Sequence, residues 1–382
     1  MARKTAANEA KNETVNTEVN EMEDAEQKFY DPNKVKVDLE GLASLSKETK
    51  KSAVYLDSFQ ARLLVDNYYA TQKYRMNLAN QIRAVDQGFD EVQDGEQPAI
   101  AWLLSDIQNR ENQIKKLINE YGKANPFCQW AMAIKGIGPC FAVNLWSYID
   151  INKCHHANQW LSYAGLNDNN APWLGTEKAT KLVNSAYEKF GMSPKDPVDD
   201  NVLLFVANGS GRNVNTIKAG YIKHKNAVTG NSNEKTILIK YMAKPPYNTE
   251  LKKICFLIGQ SFIKVSNRGS LYGEIYKERK AFETARNENG DYADQAARLL
   301  KEKNYDKNTD TYAYLSQGKL SPAHINMRSI RYAVKIFMTH VFEARYVYEY
   351  GIKPPVIYPI AFQNHIDYIE PEVPYSNYFK IK

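Results

Sequence analysis

The sequence lacks any run of 18 or more uncharged apolar residues, so no segment has the length and apolarity of a membrane-spanning helix. Its first residues, MARKTAANEAKNETVNTEV, contain no apolar signal core, which argues against secretion. The four cysteines show no C-x-x-C spacing; they are Cys128, Cys140, Cys154 and Cys255. We therefore expect a cytoplasmic protein with reduced thiols and no membrane partner.

Motifs for nucleotide or metal chemistry are also missing. No glycine-rich nucleotide-binding loop and no Ser-His-Asp order in a recognisable context occurs. The CHH at 154–156, taken with Cys128 and Cys140, has spacings that fit no zinc template. The three aspartates of KDPVDD, at 195–200, are typical of a solvated turn. No metal site is predicted from these residues.

Charge is unevenly distributed along the 382 residues, whose net charge is +6. Residues 1–50 hold 8 Lys and Arg against 11 Asp and Glu, so the excess of positive charge lies in the rest of the chain. It is densest between Ala207 and Lys244, where Glu234 is the single acid. The basic residues there are Arg212, Lys218, Lys223, Lys225, Lys235, Lys240 and Lys244. This stretch is either a solvated basic loop or a surface that faces phosphates.

The N-terminal part of the chain predicts a disordered leader over residues 1–48, which is polar and poor in large apolar residues. Residues 50–125 predict two long amphipathic helices, about 53–86 and 99–121, separated by the polar break DQGFDEVQDGEQP. Such a pair forms either an antiparallel helical hairpin or a dimerising coiled coil, and the seam is too short in heptads to distinguish them.

The remainder predicts a mainly α-helical domain over residues 126–350, followed by a Pro- and Tyr-rich tail, 351–382, that wraps on the surface. Within it, 167–244 is interpreted as a loop-rich or small β insertion, because VLLFV and TILIKY resemble short strands. Helices resume at 248–265, with Asn248 or Thr249 as cap. The last long helix is expected to begin at Ser321-Pro322 and to end at Gly351.

The stretch AIKGIGPCFAVNLWSYIDI, residues 133–151, places Gly136, Ile137 and Gly138 between two helical segments. A helix that begins directly after such a turn presents backbone N–H groups and the positive end of its dipole. Glycine lets a phosphate approach the backbone closely. The pattern predicts a helix-hairpin-helix that grips a nucleic-acid backbone without reading bases. The alternative is a glycine turn between two core helices that contacts no ligand.

The order of motifs resembles the C-terminal half of the Piv-invertase-related transposases of bridge-RNA-guided insertion sequences. In that family a coiled-coil segment precedes a helix-hairpin-helix, an aYaGL stretch and a GNxxLRRxLy helix. The resemblance covers about residues 55–350 and implies a role in DNA transposition. The matching positions are Ala164, Gly165 and Leu166 in the second element and Asn248, Leu251, Lys252 and Lys253 in the third, with lysines where arginine is usual.

Two departures from that family concern catalysis. The family's RuvC-like domain, with four acidic residues that bind divalent metal, has no counterpart before Lys50. The resemblance therefore implies Mg²⁺ only if a catalytic partner domain exists. The family also carries a serine nucleophile after aYaGL, usually beside glycine. The candidates here are Thr176, after Gly175, and Ser210 in NGSGR, where flanking glycines and Arg212 predict exposure and a nearby cation.

A second basic surface is predicted on the last long helix. His324, Arg328, Arg331 and Lys335 recur at steps of four, three and four residues, so they share one helical face. This face is either a backbone-binding stripe or a solvated one. All residues predicted to contact nucleic acid are Lys135, Gly136, Ile137, Gly138, Lys252, Lys253, Arg212, Lys218, Lys223, Lys225, Arg328, Arg331 and Lys335.

Together these observations predict a mainly α, DNA-binding, transposase-like protein of a mobile element or phage. Its expected partners are double-stranded DNA, structured RNA and a second copy of the chain bound through residues 53–121. A non-catalytic nucleic-acid-binding or architectural factor is the alternative. A scaffold that binds no nucleic acid would require the glycines and both basic clusters to be coincidental.

Overall fold

The computed structural model describes residues 44–88, 98–167, 173–227, 232–355 and 368–381, so most of the predicted leader lies outside the described residues. Within these ranges the chain is mainly α-helical and contains no strand. The helices are α1 Lys47–Ser52, α2 Ser58–Gly88, α3 Pro98–Ala124, α4 Pro126–Ala133, α5 Pro139–Tyr148, α6 Ala157–Tyr163, α7 Gly175–Lys189, α8 Asp200–Ser210, α9 Val214–Ala227, α10 Glu234–Ala243, α11 Thr249–Val265, α12 Leu271–Glu288, α13 Ala293–Glu302, α14 Asp310–Ser316 and α15 Pro322–Tyr350.

The chain divides into two compact units, and the first ends at Tyr121. In this unit Arg75 pairs with Glu111 at 2.6 Å and Lys50 pairs with Glu120 at 3.5 Å. These ion pairs connect α3 to α2 and to α1. Among the described helices, none has an apolar stretch of the length that a bilayer requires.

The first long helix begins later than its periodicity predicted. Residues Ala53–Tyr55 form a 3₁₀ turn, and α2 begins only at Ser58. The cause is local: Gln60 N–H donates to Asp57 Oδ1 at 2.8 Å, and Asp57 N–H donates to Gln60 Oε1 at 3.1 Å. This reciprocal pair is a capping box, which fixes the start of the helix at Ser58.

The second unit, Gly122–Lys382, is built around α11, α12 and α15. Phe262 stacks on Tyr272 at 4.9 Å between ring centroids and meets Phe337 edge-on at 5.2 Å. Two glycines allow this close approach. A Cβ on Gly259 would lie 2.4 Å from Ile330 Cγ2, and one on Gly273 would lie 2.5 Å from the Ser266 Cα. Any larger side chain at these positions therefore forces the helices apart.

The interpretation of residues 167–244 as loop-rich or β is wrong. The VLLFV run lies in α8 and the TILIKY run lies in α10. Asp199 accepts from the Val202 N–H at 2.8 Å and Asn233 accepts from the Thr236 N–H at 2.8 Å, so a side-chain cap starts each helix. Helices α7–α10 enclose a hydrophobic core of their own: Ala179, Val183, Ala186, Tyr187, Val202, Leu203, Val206, Ala207, Ile217, Tyr221, Ile237, Leu238 and Met242.

The C-terminal tail inserts side chains into the second unit instead of only wrapping its surface. Trp130 Nε1 donates to the Val373 carbonyl at 2.9 Å, and Tyr375 and Phe379 are each only 7% exposed. The Tyr375 hydroxyl donates to Glu343 Oε2 at 2.7 Å. Burial raises the pKa of Glu343 even though this hydrogen bond favours its charged form. Residues 356–367 of the predicted tail lie outside the described residues.

Candidate nucleic-acid interface

A tight turn joins α4 to α5 at the predicted glycines. Asn125 caps α4, whose last residue is Ala133, and Pro139 occupies the first position of α5. The Ile137 N–H donates to the Ile134 carbonyl at 3.0 Å, and both isoleucine side chains are buried. The buried side chains of Ile134 and Ile137 thus hold the turn against the core, while Lys135 between them is exposed.

The backbone conformation at Gly136 favours glycine. Its φ of +95° lies in the region that side chains with a Cβ rarely adopt. Its carbonyl accepts from Ser261 Oγ at 2.6 Å, and a Cβ would lie 3.2 Å from both Ser261 Oγ and Val265 Cγ2. Gly136 therefore docks the turn against α11.

Gly138 has the opposite environment. Its φ of −93° and ψ of 175° are accessible to any residue, and a Cβ there would meet nothing within 4 Å. It is the N-cap of α5, and no side chain caps this helix. The first-turn N–H groups of an α-helix have no acceptor within the helix. The start of α5 therefore has backbone N–H donors, and the space beside Gly138 is open. An anion-binding helix N-terminus needs both features.

Lys135 is held in place by the surrounding structure. Its Nζ donates to the Gly269 carbonyl at 2.7 Å, and its backbone N–H donates to Glu372 Oε1 at 2.9 Å. The other oxygen of Glu372 accepts from the Leu271 N–H at 2.9 Å. The Glu372 side chain thus links the α4–α5 turn to the start of α12, and the Lys135 ammonium lies beside Gly269 at the surface.

Two further cations belong to this surface, and sequence reasoning missed them. Lys264 lies in the last turn of α11 and Arg268 directly precedes Gly269; both are exposed. Their position became significant only because Val265 and Ser261 of the same helix contact Gly136. The sequence signal was a pair of basic residues at a helix end, which is common for reasons of the helix dipole alone.

The second and third motifs of the family resemblance lie against each other. The Asn248 N–H donates to the Tyr163 carbonyl at 2.8 Å, and Asn248 Nδ2 donates to the Tyr163 hydroxyl at 2.8 Å. Gly165, with φ +65°, has Tyr247 so close that a Cβ would lie 2.8 Å from the ring. Lys252 Nζ lies 4.0 Å from the Tyr247 ring centroid, and Lys253 pairs with Glu250. Lys252 is exposed at this junction.

The basic stretch between Ala207 and Lys244 is partly neutralised by Asp200, which lies outside it, and by Glu234 within it. Lys218 pairs with Asp200 at 2.6 Å, and Lys225 pairs with Glu234. Lys223 is exposed, whereas Arg212 is half-buried in a cleft. The stretch therefore does not form one continuous phosphate-facing surface.

The predicted basic stripe on α15 is also interrupted. Arg328 Nε donates to Glu283 Oε2 at 3.0 Å, and its guanidinium lies 4.7 Å from the Tyr292 ring centroid. Burial alone would raise the pKa of Glu283, but hydrogen bonds from Tyr292, Arg328 and Arg279 outweigh it and lower the pKa. Arg328 is therefore half-buried and paired with this carboxylate, while Arg331 is exposed and Lys335 is half-buried.

The exposure predicted for Ser210 is wrong. Helix α8 extends through Ser210, whose side chain is 3% exposed and whose hydroxyl donates to the Ala207 carbonyl at 3.2 Å. Only Gly211 leaves the helix, with φ +65°. Thr176 is exposed as the second residue of α7. Across the described ranges, no three His, Cys, Asp or Glu side chains converge in a way that would hold a metal ion.

Comparison with known proteins identifies no relative: no family model, no curated protein and no solved structure matches the chain. Any functional assignment therefore depends on the geometry above and on the motifs that carry the resemblance.

Proposed function

We propose that this protein binds the phosphate backbone of duplex DNA through the turn between α4 and α5. The observation that carries the proposal is the contrast between the two glycines. Gly136 is locked against α11, whereas Gly138 opens the start of an uncapped helix to solvent. A turn needed only for folding requires the first glycine and has no need of the second.

The chemistry of this surface suits phosphate and does not read bases. Phosphate oxygens accept hydrogen bonds from helix N-terminal N–H groups, and the helix dipole favours their charge. The exposed side chains of Lys135, Lys264 and Arg268 add positive charge around the turn. Contacts of this kind position a protein on the duplex independently of sequence.

We place this binding in DNA transposition or site-specific recombination of a mobile element or phage. Support comes from the motif order, together with the hydrogen bonds that join Tyr163 to Asn248. Strand cleavage would then need a RuvC-like domain that binds Mg²⁺. The buried hydroxyl of Ser210 favours the second candidate, a non-catalytic architectural factor. A strand-transfer assay in Mg²⁺, without and with a RuvC-like domain added, separates the two.

The binding proposal is tested by titrating the protein against duplex DNA and structured RNA at low and moderate salt. For roughly four phosphate contacts, affinity for duplex DNA should fall about 100-fold between 50 and 200 mM salt. The double variant Lys264→Gln/Arg268→Gln should bind more weakly, with a salt slope reduced by about two.

The matched control for that experiment is Lys301→Gln/Lys307→Gln, which removes two exposed positive charges at the end of α13 and just beyond it. The control should retain the wild-type slope. Salt-independent affinity of the wild type, or equal slopes for the two double variants, would refute backbone binding at this surface.

We further propose that two copies associate through the exposed apolar stripe of α2. Phe59, Leu63 and Tyr74 lie on one helical face and are 65%, 45% and 55% exposed. Phe59→Glu/Leu63→Glu should convert a dimer to a monomer in light scattering coupled to gel filtration. Lys301→Glu/Lys307→Glu adds the same acids elsewhere and should leave the dimer intact. A wild-type monomer at all concentrations contradicts the proposal.

A further inference from the structure

A surface cleft of about 340 Å³ lies in the α7–α10 region, separate in sequence from the hairpin turn. It is formed where the chain leaves α8, enters α9 and leaves α10. Nine residues line it, and none of them is acidic: Gly211, Arg212, Asn213, Thr216, Ile217, Tyr241, Lys244, Pro245 and Pro246. The volume falls within the range of pockets that bind small ligands.

Two basic residues, Arg212 and Lys244, line the cleft. Arg212 lies between α8 and α9, and Lys244 lies just after the end of α10. The Arg212 charge acts on Tyr241, since burial raises the pKa of that phenol while the guanidinium opposes the rise. Lys244 is exposed at the rim. A ligand in this cleft would therefore meet two cations. Cationic side chains form strong, charge-assisted hydrogen bonds with phosphate oxygens.

Apart from Asn213 and Thr216, the rest of the lining is apolar or aromatic. The Tyr241 ring is held in place, because its hydroxyl donates to the Thr216 carbonyl at 3.4 Å and Gly220 leaves room for it. Pro245 and Pro246 follow directly after Lys244 and form the adjoining wall. An aromatic ring beside a phosphate-binding cation is the arrangement that proteins use to stack an unpaired base.

We propose that this cleft binds one unpaired nucleotide of a nucleic-acid strand, with its phosphate between Arg212 and Lys244 and its base against Tyr241. The inference deepens the proposed function, because its ligand is nucleic acid, but it concerns a different surface. Duplex DNA would be held at the α4–α5 turn, and a nucleotide displaced from pairing would be held in the cleft.

The experiment uses the full chain and thymidine 5′-monophosphate as the probe, with binding measured by calorimetry or by NMR. Thymidine and inorganic phosphate are the comparison ligands. The monophosphate should bind at least tenfold more tightly than either one, because only it occupies both the cationic and the apolar parts of the cleft. Lys244→Gln and Tyr241→Leu should each weaken binding about five- to tenfold.

The matched control is Lys178→Gln, which removes an exposed lysine of α7 that does not line the cleft. It should bind the monophosphate as the wild type does. Since Tyr241→Leu also alters packing against Gly220, its melting temperature is measured alongside. Lys244→Gln, at an exposed position, is the variant on which the conclusion depends.

Failure of this inference is distinguishable from failure of the duplex proposal. Absence of monophosphate binding, equal affinity for inorganic phosphate, or wild-type affinity in Lys244→Gln overturns the nucleotide cleft, whatever the duplex titration shows. Monophosphate binding that is lost in Lys244→Gln supports the cleft even if duplex affinity proves independent of salt.

Discussion

Gly138→Asp should weaken binding of duplex DNA at least tenfold while leaving the protein as stable as the wild type or slightly more so. The backbone at this position suits any residue, and the new side chain enters open space. Aspartate is a favourable N-cap, so its carboxylate should take the N–H groups at the start of α5 and stabilise the helix by a few tenths of a kcal/mol. The same carboxylate occupies the position proposed for a DNA phosphate and repels the negatively charged DNA backbone. We therefore expect the affinity for duplex DNA to fall at least tenfold.

Two further variants make this result specific to charge and to position. Gly138→Asn has nearly the shape of aspartate and caps the helix without charge, so it should lose less affinity than Gly138→Asp. Gly136→Ala should show the reverse pattern: a free energy of unfolding lower by about 1–2 kcal/mol, because of the positive φ, and near-normal affinity of the folded fraction. If Gly138→Asp binds DNA as the wild type does, the start of α5 is not a phosphate site.

Glu283→Ala should cause the largest loss of stability among single changes to polar groups of the second unit. The carboxylate is 1% exposed and accepts from Arg279 Nε at 2.8 Å, from Arg328 Nε at 3.0 Å and from the Tyr292 hydroxyl. Removing it leaves two guanidinium groups without their shared counter-ion. Breaking a buried pair in this way costs about 3–5 kcal/mol, and we expect the lower end because both arginines retain some solvent contact.

Urea unfolding measures this effect, with Glu288→Ala as the matched control. Glu288 pairs with Lys319 at the surface, so its loss should cost less than about 1 kcal/mol. The lowered pKa of Glu283 also determines the direction in which the protein's stability changes with pH. Its stabilisation is present above the ordinary carboxyl pKa and is lost as the pH falls through the folded-state value. Equal losses in the two variants would show that the Glu283 network contributes no more than a surface ion pair.

Several helix ends were predictable because their signals are local. Asn248 caps α11 and Ser321 caps α15 through bonds to N–H groups three residues ahead, and Gly351 ends α15 in the left-handed conformation. Each of these features depends on a few neighbouring residues, so the sequence pattern alone indicates them. The capping box of Asp57 and Gln60 was equally local and was overlooked because the apolar periodicity continues through it.

Short apolar runs were not predictable in the same way. VLLFV and TILIKY have the composition of buried strands, and periodicity over five or six residues cannot separate a strand from a buried helix. They became helices because caps at Asp199 and Asn233 start them and because α7–α10 share one core. The same packing extends α8 to Ser210 and buries a hydroxyl that a glycine-flanked sequence had suggested would be exposed.

Long-range contacts decided which candidate residues face solvent. Arg328 was assigned to a basic stripe, but its acid partner, Glu283, lies 45 positions earlier on another helix. Gly136 and Gly138 are equivalent in the sequence pattern, and only the tertiary structure distinguishes them: Gly136 packs against α11, whereas a Cβ on Gly138 would meet open space. Local hydrogen bonding was therefore enough to specify where helices begin and turn, whereas the pairing of distant side chains determined which surface remains open to a ligand.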